Sequence, residues 1–354
     1  MSNIITCEQV SNGHPDKICD QIADAIVTDC LRHDKNSRVA IEVLIKDNHI
    51  TIAGELTSSH KPDYAALVME VFDWIGKDRL GYDTRTFDLR ILVKEQSSDI
   101  ALGVDKGGAG DQGMMMGYAT NETPELLPIP FVVATKFLEI LQRHPSRMFR
   151  ADAKAQVSYD YDSGRITTFL CSVQHSPDVE PADFRHIIEA IMVLAASEYG
   201  LNTDFAKLVN PTGRFVIGGP FADCGVTGRK LACDTYGGVG RIGGGAMSGK
   251  DPTKVDRSGA YMARKIARDI VLAGYAEKCE VQIAYAIGLP KPVSIHVDCF
   301  GTAKQDRRFI EQFIRENYDL TPQGIIRSLH LQDVDYNRVS TLGHFGKRGL
   351  PWEE

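Results

Sequence analysis

Apolar residues recur along the chain with two periods, and each period predicts a different element. Ile18, Ile22 and Ile26 return every fourth residue, with Ala23, Ala25 and Cys30 beside them, which predicts a helix. Pro15 suits its first turn, placing Gly13-His14 at the cap and Asp16 just inside. From Arg38 to Lys46 the odd positions are apolar (Val39, Ile41, Val43, Ile45), and in the next run the even ones are (Ile50, Ile52). Asp47-Asn48 between the two runs predicts a hairpin with a two-residue turn. In that register residue 42 faces 53 and residue 40 faces 55, so Glu42 and Glu55 share the face opposite the isoleucines. A solvated face is the simpler reading of these carboxylates; a site for a cation or ammonium group is the other.

Helical patterns follow at 61–75, 130–142, 181–199, 257–272 and 306–316. Strand patterns fall at 86–94, 155–161, 166–174, 280–286 and 294–299. Hairpins alternating with helices predict an α+β fold with helices against one sheet face, not a doubly wound parallel sheet. No short-period repeat is visible in the sequence.

Composition narrows the class. With 354 residues, 43% hydrophobic and 25% charged, the chain has enough apolar material for a sizeable core. Disordered, coiled-coil and collagen-like chains are excluded. A net charge of −7 argues against nucleic acid as a partner, because no cationic excess exists to displace counterions. No apolar run reaches the roughly 18 to 20 residues needed to cross a bilayer. The first residues have neither the basic start nor the apolar centre of a signal peptide. Eight cysteines never form a C-x-x-C pair, which excludes zinc ribbons and thioredoxin-like motifs. Scattered thiols fit a reducing compartment, so a cytoplasmic location is expected.

Glycine placement points to ligand chemistry. Twelve of the 32 glycines lie within residues 213–249, and a second cluster occupies 103–117. These stretches are threaded with charge (Asp111, Asp223, Arg229, Lys230, Asp234, Lys250, Asp256), unlike a flexible linker, and read as ligand-binding loops. Residues 244–250, Gly-Gly-Ala-Met-Ser-Gly-Lys, match the first seven positions of a phosphate-binding P-loop. The eighth position is Asp251 where Ser or Thr is required, and no apolar strand precedes the motif. A Walker-type nucleotidase is therefore disfavoured, although glycine backbone beside Lys250 still suits a phosphate. At the start of the first helix, His14 and Lys17 could face an anion, and Asp16 could hold magnesium beside phosphate oxygens. A capped, solvated helix start explains the same residues equally well. Together His14, Lys154, Arg229, Lys230 and Lys250 would suit a triphosphate if they converged, which spacing cannot show.

The chain resembles the S-adenosylmethionine synthetase (methionine adenosyltransferase) family. The matching segments are Val10-Ser11-Asn12-Gly13-His14-Pro15-Asp16-Lys17, Gly108-Ala109-Gly110-Asp111-Gln112-Gly113, Tyr118-Ala119-Thr120-Asn121-Glu122-Thr123 and Asn210-Pro211-Thr212-Gly213-Arg214-Phe215. Asp234-Thr235-Tyr236-Gly237-Gly238, residues 243–256, Gly343-His344-Phe345-Gly346 and Pro351-Trp352 match too. The resemblance implies an enzyme that joins the methionine sulfur to C5′ of ATP, expels triphosphate and hydrolyses it to phosphate and diphosphate. It implies three similar α/β-sandwich domains around a pseudo-threefold axis, interleaved along the chain, with domains at 1–99, 110–218 and 219–354. Two Mg2+ ions per site are implied, held through Asp16 and Asp256, and one K+ at Glu42.

ATP would meet His14, Asp152, Lys154, Arg214, Phe215, Asp223, Arg229, Lys230, Ala246 and Lys250. Of these, His14, Lys154, Arg229, Lys230 and Lys250 would act on the leaving triphosphate. Glu55, Gln96, Asp223 and Lys254 would hold methionine. Active sites would lie between the subunits of a homodimer, usually within a dimer of dimers. The chemistry is consistent with the residues: a thioether is a neutral nucleophile, so orientation and stabilisation of the departing charge matter more than a general base. His14 could bridge or protonate the leaving oxygen.

Two features depart from the family pattern. Residues 96–107, aligned with its mobile active-site loop, are fewer than in many bacterial members, which bears on turnover. Cys7 stands where serine is common and reads as structural rather than reactive. A non-catalytic regulatory subunit is the first rival reading, disfavoured because the phosphate cations and metal carboxylates are all retained. A kinase or nucleotidase using Lys250 is the second.

Overall fold

The computed structural model describes residues 3–95 and 108–354. One order of elements runs twice in full and a third time without its closing strand. The first pass runs β1 (Ile4–Val10), α1 (Pro15–His33), the hairpin β2 (Arg38–Lys46) and β3 (His49–Thr57), α2 (Tyr64–Ile75) and β4 (Asp88–Lys94). The second runs β5 (Gly113–Thr120), α3 (Ile129–Arg143), β6 (Phe149–Asp160), β7 (Arg165–His175), α4 (Pro181–Ser197) and β8 (Ala206–Val209). The third has β9 (Gly225–Val226), α5 (Val255–Leu272), β10 (Lys278–Tyr285), β11 (Ser294–Asp298) and α6 (Arg307–Asn317), followed by α7 (Pro322–Ser328). The repeat lies in the order of elements and not in the residues, which is why no sequence period betrays it.

Each pass lends its opening strand to another pass. The three sheets are ordered β1-β6-β7-β8, β4-β3-β2-β9 and β11-β10-β5. Thus β1 pairs antiparallel with β6, β5 with β10 and β9 with β2, while β4 and β8 run parallel to β3 and β7. The fold is three α/β units interleaved along one chain. No helix of the described residues is long and apolar enough to cross a membrane.

Local sequence explains the pieces that position the site. The α1 isoleucines Ile18, Ile22 and Ile26 are fully buried, as are Val39, Ile41, Val43 and Ile45 of β2 to within 1%. Each such side chain contributes roughly 1.5–3 kcal/mol on burial. The β2–β3 register pairs Glu42 with Ala53 and Ala40 with Glu55 across the Asp47-Asn48 turn, as the alternation predicts. Asp47 takes φ 53°, the left-handed conformation that Asp tolerates. Helix α2 starts at Tyr64 instead of 61 because the Asp63 carboxylate accepts from Ala66 N at 3.0 Å and fixes the cap. Strand β5, absent from the sequence prediction, is the glycine- and methionine-rich run GMMMGYAT, whose one β-branched residue is the terminal Thr120. Its Gly117 lets α5 lie directly on it: a Cβ there would come within 2.0 Å of the Ala263 carbonyl.

Candidate active site

Helix α1 presents Asp16, Asp20 and Asp24 at a spacing of four, all fully buried. Apart from Lys17 on the same helix, their partners come from the third pass, more than 200 residues away. Asp16 Oδ1 accepts from Val226 N at 2.9 Å and Arg229 Nε at 3.0 Å, and Oδ2 accepts from Lys230 Nζ at 2.6 Å. Asp20 accepts from Gly228 N at 2.8 Å and Lys17 Nζ at 2.9 Å. Asp24 accepts from Gly249 N at 2.9 Å and pairs with the buried Arg257. Lys17 reaches Asp234 as well. This ladder clamps two glycine-containing loops, 225–230 and 243–250, against one helix. The loops touch each other, because a Cβ on Gly228 would meet Ala246 Cβ at 2.4 Å.

The first group of side chains gathers at the start of α1. His14 is the N-cap, and its Nδ1 accepts from Asp16 N at 3.2 Å. Burial, reinforced by Lys230 and Lys154, pushes its imidazole down to about 3, so the ring is neutral. With Nδ1 accepting, Nε2 carries the proton. The neutral ring offers its Nε2–H as a hydrogen-bond donor. For Asp16, burial is outweighed by the Lys230 and Val226 hydrogen bonds, and its carboxyl lies below the ordinary range.

Pairing of β1 with β6 sets Val10 opposite Lys154 and brings Asp152 beside the turn that carries Gly13. Gly13 packs on Ala151 too closely for any Cβ, which would lie 2.3 Å from Ala151 Cβ. Asp152 Oδ2 accepts from Gly219 N at 2.8 Å, while its buried Oδ1 has no partner among the described residues. Burial raises this carboxyl to about 6; Gly219 N–H and Lys154 oppose the rise, and Asp223 and Asp16 add to it. Asp223 also acts electrostatically on Arg229, which ties it to the same group.

The second group lies along β2. Residues 249–251 run beside this strand, with Ile41 N donating to Gly249 O at 2.8 Å and Asp251 N to Val39 O at 3.0 Å. Lys250 reaches Asp256, in the first turn of α5, at 2.7 Å. Gly245 is required beside it, since a Cβ would meet Asp256 Cγ at 2.1 Å. Partial desolvation on the open sheet face raises the Glu42 carboxyl, opposed by Lys250 and assisted by Asp20 and Glu55. Asp251 explains the imperfect P-loop: it is buried, bonds Val39 N at 2.7 Å and Thr253 N at 2.9 Å, and so serves as a staple where a P-loop has its metal-binding hydroxyl.

The structure thus gathers His14, Asp16, Asp152, Lys154, Asp223, Arg229 and Lys230 in one group. Glu42, Glu55, Lys250 and Asp256 form the adjoining one, and Ala246 sits where the loops meet. Lys254 is paired with Asp251. Arg214 is exposed, and Phe215 is fixed by its backbone to His175 at the end of β7, through bonds of 3.1 and 2.8 Å. Gln96 and the 96–107 loop lie outside the described residues. Cys7 is buried with its thiol raised to about 12, chiefly by burial, and is inert. Lys17, Asp20, Asp24 and Arg257 were not singled out from sequence, although the i, i+4, i+8 aspartates on an apolar-striped helix carry the signal.

Comparison with known proteins decides the family. Three family models match in tandem: the S-adenosylmethionine synthetase N-terminal domain over residues 2–98, the central domain over 106–215 and the C-terminal domain over 217–354. The chain belongs to the S-adenosylmethionine synthetase family. Relatives named S-adenosylmethionine synthase extend the match along the whole length. One from Mycoplasma capricolum is 46% identical over 365 residues, covering 99% of this chain and 94% of the relative. Another from Mesoplasma florum is 45% identical over 368 residues, covering 100% and 98%. As a member of that family, the chain is a transferase.

Proposed function

We propose that the chain makes S-adenosyl-L-methionine from L-methionine and ATP, with sulfur attack on C5′, release of triphosphate and its hydrolysis to phosphate and diphosphate. The observation that carries this reading is the pairing of acids with cations around the clamped loops: Asp16 with Arg229 and Lys230, and Asp256 with Lys250. Each pair contains a carboxylate suited to a hard cation and a base suited to a phosphate oxygen. When nucleotide arrives, Lys230, Arg229 and Lys250 turn from the carboxylates to the phosphates, with Lys154 and His14 Nε2 beside them. Two Mg2+ fit the freed oxygens of Asp16 and Asp256, and when bound supply further neutralisation of the leaving charge. Glu42, on the outer sheet face, fits K+.

The ribose and base fall to Asp152 Oδ1, Arg214, Phe215 and Ala246. Glu55, Gln96, Asp223 and Lys254 bind methionine, the acids facing its ammonium group. No side chain needs to remove a proton from the nucleophile. Catalysis is the alignment of sulfur with C5′ and the stabilisation of triphosphate by cations that the paired carboxylates keep within reach.

A homodimer completes the site in this reading, with a dimer of dimers as the full assembly. In support, the β2–β3–β4 face that carries Glu42 and Glu55 also holds Leu44 and Leu92, exposed by 43% and 47%. A second copy would cover these apolar groups and close the carboxylates from water. The eight free thiols fit a cytoplasmic enzyme. The test is incubation with ATP, methionine, Mg2+ and K+. Sulfonium product from the wild type, lost in Lys250→Ala and Asp256→Ala, supports the reading; ATP turned to ADP with no sulfonium product refutes it.

A further inference from the structure

Away from this site, at the far end of α1, two imidazoles and a carboxylate from different elements converge. Asp29 and His33 lie one turn apart on α1, and His60 comes from the segment between β3 and α2. Asp29 Oδ2 lies 2.7 Å from His60 Nε2, and Oδ1 lies 3.3 Å from His33 Nδ1. One donor atom from each residue falls within 4.8 Å of the other two. The rings stack with centroids 4.0 Å apart and planes at 15°. None of the three belongs to the groups described above, and 13 residues of helix separate Asp29 from Asp16, about 20 Å.

We propose that Asp29, His33 and His60 form a binding site for a divalent cation of the zinc class, a clip between the end of α1 and the approach to α2. The donor set is the first argument. Two neutral imidazoles and one carboxylate are the ligands of zinc and its late first-row neighbours, whereas magnesium takes oxygen donors. Preorganisation is the second. The segment bearing His60 is held on both sides: Ser59 N and Oγ donate to Asp34 at 2.9 and 3.0 Å, and His60 N donates to Ser58 Oγ at 3.1 Å. Past His60, Asp63 caps α2. Accessibility is the third argument. Asp29 and His60 are 21% and 24% exposed, and His33 is 56% exposed, so a cation can enter and keep water in its remaining positions. Binding replaces the His60–Asp29 carboxylate hydrogen bond and the His33 Nδ1 bond to the Asp29 backbone carbonyl, 2.9 Å long, with metal bonds, and asks only the more exposed His33 ring to shift.

Zinc chloride titrated into the Mg2+-loaded chain, followed by a competing chromophoric chelator and by thermal unfolding, tests this. One zinc per chain is expected, with a rise in melting temperature that magnesium does not reproduce. His33→Gln and His33→Ala/His60→Ala should weaken zinc binding by about tenfold or more and abolish the rise. Their metal-free melting temperatures should stay near the wild type's, because these side chains lie at the surface. Wild type that binds no zinc in large excess, or variants that bind it as the wild type does, would overturn the proposal.

Discussion

Lys230 Nζ lies 2.6 Å from Asp16 Oδ2, across 214 residues of sequence. The pair joins a loop of the third pass to the first helix, and Asp16 is fully buried while Lys230 remains partly open. A buried carboxylate held by two cations keeps both members of the pair in place before substrate arrives. Replacing Asp16 with Asn should leave the fold intact, since Val226 N–H and the loop backbone still find an acceptor. Product formation should fall by two orders of magnitude or more, in line with loss of the carboxylate that would hold Mg2+ and that positions Arg229 and Lys230 at the leaving group. Steady-state assay of Asp16→Asn beside its far-ultraviolet circular dichroism checks this; retained turnover would remove Asp16 from the site.

Gly245 offers a gentler probe. Its missing Cβ is what lets the Asp256 carboxylate occupy its place, 2.1 Å from where that atom would be. Gly245→Ala should displace Asp256, raise the magnesium concentration needed for half-maximal rate and lower kcat, with little change in melting temperature. A magnesium titration of the variant that overlays the wild type would contradict this.

Arg257 and Asp24 form a buried pair, both completely enclosed. Removing the cation leaves an uncompensated buried charge, which costs about 3–5 kcal/mol. Arg257→Met should therefore lose that much stability in urea unfolding, and Gly249, whose N–H also bonds Asp24, should loosen with it. A loss below about 1 kcal/mol would mean the pair is no clamp.

Asp152 gives a pH signature. Its carboxyl is raised from 3.8 to about 6 by burial, so the folded chain binds a proton the unfolded chain has released between those values. Stability from this group is present below pH 3.8 and is lost as pH rises through about 6. The shift corresponds to roughly 3 kcal/mol. Asp152→Asn should flatten the fall in unfolding free energy between pH 4 and 6.5 relative to wild type. Parallel curves would show that burial does not tax this carboxylate.

The legible parts of the fold were those fixed by neighbours in sequence. The α1 cap at His14, the β2–β3 register and the shared face of Glu42 and Glu55 all follow from local spacing, and the structure has each of them. Strand exchange did not show itself, because β1 finds its partner β6 about 150 residues on, and β5 lacks the β-branched pattern that marks a strand. The site divides likewise. Lys250 beside glycine could be read from the motif, whereas Asp20 and Asp24 act through loops 200 residues away and look like ordinary helix polarity. Lys254, read as a ligand group, is held by Asp251, a contact within one turn that spacing alone does not distinguish from a free cation.

Strand exchange has its own consequence. The stretch 106–215 lacks β1, so β6 would present an unpaired edge, and β5 would lack β10. Produced alone, this fragment should aggregate or stay unfolded, and adding a peptide of residues 1–12 should improve its solubility. Cooperative unfolding of the isolated fragment would contradict the interleaved reading.

The most direct test of the proposed reaction is a count of phosphorus. A quenched time course, starting from ATP and methionine with Mg2+ and K+, resolves sulfonium product, phosphate, diphosphate, triphosphate and ADP. Equal amounts of S-adenosylmethionine, phosphate and diphosphate are expected at every time, with no ADP. Appearance of ADP or AMP in step with methionine consumption, or phosphate without sulfonium product, would contradict that reaction.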